Sequence, residues 1–238
     1  MSITINGQLS LCMLVEKLHE LCDIKMIQAN TDGISVYVNK ESEPLMFRII
    51  KAWEKYTKLE MESVEYKSMF VRDVNNYIAV YTNNDVKRKG AYEYENLDWS
   101  KNHSSLVIAK AVEYEVVSGG DSKDFIKAHK DPYDFMLRAK VPRSSKLVIV
   151  KGDEETQLQN ICRYYPSKDG GKLVKLMPPL VKDGEYRRLS LEKDYDVTPC
   201  NDMKDFHWCV NYDYYFNEVD KLTEPFTNEP FNHDLFIE

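Results

Sequence analysis

The apolar positions of the first ninety residues fall into a short series of regular patterns. Over residues 8–23, Leu9, Cys12, Met13, Leu18, Leu21 and Cys22 recur at spacings of three and four, which predicts an amphipathic helix. KMIQANTDGISVYV (25–38) predicts strand, tight turn, strand. Met26 and Ile27 lead in, Ile34, Val36 and Val38 alternate on the way out, and Asn30, Asp32 and Gly33 supply turn chemistry between them. Ser42 is placed to cap a second helix with Pro44 in its first turn, and Leu45, Met46, Ile49, Ile50, Trp53 and Tyr56 form its stripe. Two strands follow, over 59–70 and near 74–82. Helix, hairpin, helix, strand pair makes an α+β unit whose antiparallel sheet is covered by helices on one face.

Periodicity is lost over 92–105, so a boundary is expected there, with domains over 1–97 and 98–238. Beyond it the chain predicts a helix over 107–117 ending at Gly119-Gly120. A short helix and a break at Pro132 follow within 122–139, then a strand over 146–152. A helix is expected over 155–167, a turn at DGGK (169–172) and a last helix near 214–222. The second domain is therefore expected to be mixed and mainly helical.

The chain has 238 residues, 43% of them hydrophobic, with 16 Tyr, 9 Phe and 3 Trp. Such a composition excludes a disordered or collagen-like chain. No run of about 18 apolar residues predicts a membrane span, and no secretory leader is visible. The five cysteines, Cys12, Cys22, Cys162, Cys200 and Cys209, form no C-x-x-C pair. That pattern predicts reduced thiols in a cytoplasm. The five histidines, at 19, 103, 129, 207 and 233, show no ligand spacing and are taken as structural or surface groups.

The net charge of −7 hides an uneven spread. Residues 138–188 hold 12 basic against 6 acidic side chains, and residues 192–238 hold 3 against 12. A basic middle segment suits a nucleic-acid footprint. Ordinary clustering on a solvated surface is the plainer alternative.

Asp32 is the first candidate for chemistry. A carboxylate at the tip of a hairpin between apolar strands can share divalent ions with a second carboxylate at the same sheet edge. Two such ions activate a hydroxyl and stabilise a leaving pyrophosphate. Gly33, without a Cβ, allows a phosphate or primer end close to the backbone. N-T-D-G also suits a plain hairpin turn.

IQANTDGISVYV (27–38) resembles motif C of family B DNA polymerases, Y-x-D-T-D-S between two palm strands. Asn30 stands at the first Asp, Thr31 matches, Asp32 matches the second Asp and Gly33 stands at Ser. The N-T-D-G form is similar to polymerases of tailed bacteriophages. The resemblance continues through the helix at 43–58 and the strand LEMESVEYKSMF. It then reaches VNNYIAV, where the family has K-K-R-Y: Tyr77 matches the Tyr, and Asn75 and Asn76 replace basic residues. VKRKGAYE supplies the Lys-Gly pair as Lys89-Gly90.

This resemblance implies that Asp32 is a catalytic ligand of a two-Mg²⁺ site. It also implies that Thr31, Gly33, Asn76, Tyr77, Lys87, Arg88, Lys89 and Gly90 lie along primer–template DNA, contacting backbone and not sequence. RYYPSKDGGKLVKL (163–176) and YRRLSL (186–191) are similar to the thumb of phage enzymes. Arg163, Lys168, Lys172, Lys175, Arg187 and Arg188 are the implied phosphate contacts, with Tyr164 and Tyr165 packing on the duplex or in the thumb core. For VKRKG and each of these cations, simple solvation is the alternative.

Motif A (D-x-x-S-L-Y-P), motif B (K-x-x-x-N-S-x-Y-G) and a D-x-E exonuclease element are missing from this sequence. The resemblance thus implies the C-terminal half of the palm plus a thumb. Its expected partners are primer–template DNA, a dNTP and an N-terminal polymerase chain carrying motifs A and B, in a host cytoplasm. Met1 suggests a separate reading frame, and a truncated fragment fits equally. Two other classes stay open: a non-catalytic DNA-binding accessory or decayed fragment, and a metal-dependent nucleotide-sugar transferase with N-T-D as a degenerate D-x-D.

Overall fold

The computed structural model describes residues 2–97, 103–181 and 184–227. The fold is α+β, with five helices and antiparallel sheets. It divides into two compact units, Met1–Lys87 and Arg88–Asn228. The boundary region expected at 92–105 runs over residues 98–102, and His233 with the acidic stretch after 227 also lies outside the described residues.

The first unit opens with α1 (Ser2–Leu21), whose Leu11, Leu14 and Leu18 are buried at spacings of three and four. The antiparallel hairpin β1 (Ile24–Ala29) and β2 (Ile34–Val38) follows, with a bulge between Met26 and Gln28. Next comes α2 (Glu43–Thr57), which buries Met46, Ile50 and Trp53. It ends at Lys58 in a left-handed conformation whose N–H returns to the Glu54 carbonyl. Ile24, Ile34, Val36 and Val38 pack against the α1–α2 core, and Trp53 ties the helices by donating its indole N–H to the Ser10 carbonyl at 2.7 Å. The hairpin is thus a ribbon with one face on two helices.

A three-stranded sheet in the order β3-β4-β5 follows: β3 (Tyr66–Asp73), β4 (Asn76–Tyr81) and β5 (Val86–Lys89). The strand expected over 59–70 forms only from Tyr66. The Met61 amide is taken instead by the Glu54 side chain at 2.9 Å, which holds that stretch against α2.

The second unit holds α3 (Leu106–Ser118), closed by Gly119 in a left-handed conformation. It also holds α4 (Ser122–Ala128), a one-turn helix over Pro132–Phe135, and α5 (Tyr212–Thr227). Its sheet contains β6 (Leu137–Lys140), β7 (Lys146–Lys151), β8 (Glu154–Leu158), β9 (Ile161–Met177), β10 (Arg187–Ser190) and β11 (Val197–Pro199). The main path is β10-β9-β7-β8, and β6 and β11 also pair with β9.

This unit is mixed, and a six-stranded sheet stands where a mainly helical domain was expected. Residues 155–158 and 161–167 are strand, not helix. Leu158, Ile161, Cys162 and Tyr165 do recur at helical spacing, but tertiary pairing decides the outcome. Cys162 lies opposite Ala139 of β6, and Tyr165 opposite Thr198 of β11. Asp169, Gly170, Gly171 and Lys172 do not form a turn but lie within β9. A Cβ on Gly170 would stand 2.3 Å from the Val197 carbonyl oxygen, and one on Gly171 2.5 Å from that of Val150. These glycines admit neighbouring backbone to the middle of a strand.

Leu147, Leu173, Cys162, Tyr164 and Val197 form the core on one face of the sheet, and Val148, Val174 and Leu176 a smaller cluster on the other. No helix among the described residues is long and apolar enough to cross a membrane.

Candidate functional site

The β1–β2 turn is built by Asn30. Its amide donates to the Gly33 carbonyl at 2.9 Å, and its Oδ1 accepts from the amides of Asp32 at 3.1 Å and Gly33 at 2.8 Å. One side chain thereby satisfies the turn's backbone donors, the Asx mimicry of a turn. Thr31 and Asp32 are exposed at its tip, so the Asp32 carboxylate faces solvent while its backbone is fixed. A Cβ on Gly33 would meet Asn30 Oδ1 at 3.5 Å, an ordinary contact. The turn itself therefore places no demand for glycine at position 33.

A lone exposed carboxylate suits Mg²⁺, which keeps several waters and takes one or two carboxylates. Among the described residues, no group of three or more His, Cys, Asp or Glu is arranged to hold a metal. Any metal centre at Asp32 needs carboxylates from elsewhere.

Tyr77 and Lys87 come together on the three-stranded sheet. The Lys87 ammonium lies 5.8 Å from the Tyr77 ring centre and 6.0 Å from that of Tyr66, and donates to the Tyr66 hydroxyl at 3.3 Å. Tyr81 packs on Tyr66 with ring centres 5.1 Å apart. Tyr66 and Tyr81 are absent from the sequence-derived site. Their signal was the register of the strand pair, in which they stand opposite each other. Asn76 fastens the β3–β4 turn by donating to both Asp73 carboxylate oxygens at 2.8 and 2.9 Å.

Lys89 is exposed, and Gly90 follows with φ +67°, a conformation that favours glycine. Arg88 is engaged within the second unit. Its Nε and Nη2 form a fork on the Glu113 carboxylate, Nη1 donates to Glu95 at 2.9 Å, and the guanidinium lies 4.4 Å from the Tyr94 ring centre. Burial, then the Glu113 charge, pushes the Tyr94 phenol up to about 12.

Of the other named cations, Arg163, Lys172 and Arg187 are also held. Arg163 stacks 4.5 Å from the Tyr133 ring centre and donates to the Tyr133 hydroxyl at 2.8 Å and the His103 carbonyl at 2.9 Å. Lys172 pairs with Asp196 at 2.9 Å. Arg187 donates to the Pro178 carbonyl at 3.4 Å. Tyr164 and Tyr165 are buried in the sheet and bond to Glu192 and the His207 carbonyl.

One buried polar cluster has no counterpart in the sequence-derived site. Asp134, at 3% side-chain exposure, accepts from Lys110 and meets His129 Nε2, both at 2.5 Å. Burial pushes its carboxyl up, but the bonds from His129 and Lys110 outweigh burial and hold it below the ordinary carboxylate range. The cluster ties α3, the end of α4 and the Pro132 turn. Its only sequence signal is Asp134 two residues after Pro132.

No family model matches the chain, and no curated protein matches it.

Proposed function

We propose that the chain is the C-terminal palm-and-thumb portion of a family B DNA polymerase of the phage type. In this reading Asp32 contributes one ligand to a two-metal site completed by a second polypeptide. The observation that carries the reading is the placement of Asp32. The one carboxylate that the motif C resemblance selects stands exposed at the tip of a hairpin whose flanking strands are anchored on α1 and α2.

When bound, Mg²⁺ would activate the primer 3′-hydroxyl and neutralise charge on the leaving pyrophosphate. The chain's own part is to hold the Asp32 oxygens in place. Asn30 fixes the turn backbone, so only the Asp32 side-chain rotamers are left to be ordered on binding. Thr31 and Gly33 lie beside it, and Gly33 leaves the approach to the backbone open. Tyr77, Lys87 and Lys89 supply an aromatic and cationic surface suited to DNA backbone. Arg88 and Arg163 have a structural share in this reading, since their guanidinium groups already serve partners within the fold.

The test mixes the chain with a polypeptide carrying motifs A and B and measures Mg²⁺-dependent primer extension. Asp32→Ala is expected to lower the rate by much more than tenfold. A loss within about tenfold, roughly 1.4 kcal/mol of barrier, would remove Asp32 from the metal site and the reading with it. Salt-sensitive duplex binding that ignores Asp32, with no extension activity, would identify a non-catalytic accessory.

A further inference from the structure

Within the second unit, one face of α3 carries an open groove of about 240 Å³. Lys110, Glu113, Tyr114 and Ser118 line it at helical spacings of three and four, and Tyr94 and Phe125 complete the lining. The Tyr114 and Phe125 ring centres are 5.1 Å apart, with planes 30° apart. Phe125 stacks in turn on His129 at 5.6 Å. Tyr114 is 41% exposed, yet its ring is placed by the end of the helix. Gly120 donates its amide to the Tyr114 carbonyl, and a Cβ on Gly120 would stand 2.1 Å from the Tyr114 ring carbon Cε1. The missing Cβ lets the ring lie where it does.

Two charged groups line the groove, and each is already neutralised. Arg88 forks the Glu113 carboxylate, and Lys110 donates to Asp134. The groove therefore offers no uncompensated charge to an ion. Hydrogen-bonding capacity is left over. An ammonium has three donors, of which Asp134 takes one. A carboxylate has about four acceptor sites, of which Arg88 takes two and the Tyr94 phenol a third. The exposed Ser118 hydroxyl both donates and accepts.

We infer that this groove binds a nucleobase. The Tyr114 and Phe125 rings take the flat face of the base by stacking. Lys110, the last Glu113 site and Ser118 take its edge, where acceptors and donors stand side by side. The volume suits one ring system, since drug-sized ligands occupy about 300–1,000 Å³. A phenyl or aliphatic side chain of a partner protein fills the same space but leaves the spare donors and acceptor desolvated and unpaired, which is costly. The inference goes beyond the polymerase reading and needs neither Asp32 nor a metal. A free nucleotide and an unpaired base of a single strand present the same chemistry, and the test separates them.

The full chain is titrated with the fluorescent base 2-aminopurine, once as the free nucleoside and once within a single strand of about 10 nucleotides. Stacking quenches the emission. Tyr114→Ala is expected to weaken binding about fivefold or more, and Tyr114→Phe, which keeps the ring, to stay within about twofold of wild type. Gly120→Ala is expected to match Tyr114→Ala, because its methyl swings the ring away and leaves the groove's charges untouched. The displaced atoms lie at the far end of a side chain, so the fold is kept, and a thermal melt checks it. Indole, a ring system without the acceptors of a base, is expected to compete at least about tenfold more weakly than the nucleoside.

Tighter binding of the oligonucleotide assigns the groove to a single strand, and equal binding assigns it to free nucleotides; both uphold the inference. No quench by either form at about 1 mM overturns it. Binding that is unchanged in both Tyr114→Ala and Gly120→Ala overturns it as well. Indole competing as well as the nucleoside overturns it and marks the groove as a seat for an aromatic side chain of a partner protein. Metal-dependent primer extension, which tests the polymerase reading, is measured separately and is not moved by any of these outcomes.

Discussion

Asn30 Oδ1 accepts the backbone N–H of Asp32 at 3.1 Å, so the Asn30 side chain holds the backbone of the hairpin tip. A side chain that mimics a turn in this way is worth about 1 kcal/mol. Asn30→Ala is expected to lower the stability of the first unit by about that amount and to speed amide exchange at Asp32 and Gly33. Asn30→Asp keeps the acceptor and should leave both unchanged. Hydrogen exchange by NMR measures the difference, and equal exchange in Asn30→Ala and wild type would show that the turn holds without its cap.

Position 33 separates folding from chemistry. An added methyl at Gly33 meets only Asn30 Oδ1 at an ordinary distance. Gly33→Ala should therefore melt within about 0.5 kcal/mol of wild type. Any loss of primer extension in this variant then reports the close approach of DNA to the backbone.

The two glycines inside β9 behave oppositely. Gly171→Ala drives a methyl into the Val150 carbonyl, and Gly170→Ala into that of Val197. Each should cost about 1–3 kcal/mol, as overpacking does. Urea titration of the second unit reads the effect. A neutral result at both positions would mean that the strands part to accept the methyl.

Arg88 answers a sharper question, because duplex binding and fold stability predict different losses. Its fork on Glu113 is partly buried, and hydrogen bonds of this charged kind are worth about 1.5–3 kcal/mol. Arg88→Ala should lower stability by that order, and Arg88→Lys should not restore it, since an ammonium cannot span both oxygens. Lys89→Ala should instead weaken duplex binding and reduce its salt slope by about one. An unchanged melt for Arg88→Ala, with a reduced slope, would return Arg88 to the proposed DNA surface.

Asp134 gives the second unit a pH signature. Its carboxyl is held below the ordinary value of 3.8. Its contribution is therefore complete above that ordinary value and fades as pH falls toward the lower folded value. Removing one member of a buried ionic cluster costs about 3–5 kcal/mol. Asp134→Ala should approach that loss at pH 7, and the gap from wild type should narrow below about pH 4. A gap that stays constant down to pH 3 would exclude the carboxylate as its source.

Local pattern made much of the first unit legible. The stripe Met46–Ile50–Trp53, the alternation Ile34–Val36–Val38 and the N-T-D-G turn all carry their own short-range signal, whereas of the stripe expected over 8–23 Leu9, Cys12 and Leu21 are exposed, and the buried Leu11 and Leu14 fall outside it. Asp32 could be singled out because hairpin chemistry and motif order agree there. The second unit resisted at β9, where Leu158, Ile161, Cys162 and Tyr165 satisfy a helical period and the deciding partners lie on β6 and β11. Gly170-Gly171 resembled a turn because a glycine pair does not reveal whether it frees the chain's own backbone or admits another. The engagement of Arg88 by Glu113, 25 positions away, and the Asp134 cluster depend on side chains that meet only after the helices have packed. The tyrosines around Lys87 meet through the register of β3 and β4 instead.

The 17-residue β9 bonds to β6, β7, β10 and β11 along its length, so loss of β9 would strip all four strands of a shared partner. The second unit should consequently open as a single foldon. Amides of Ala139, Val148, Tyr165 and Thr198 should converge on one slow exchange rate, and a protease should find no cut within the sheet short of global melting.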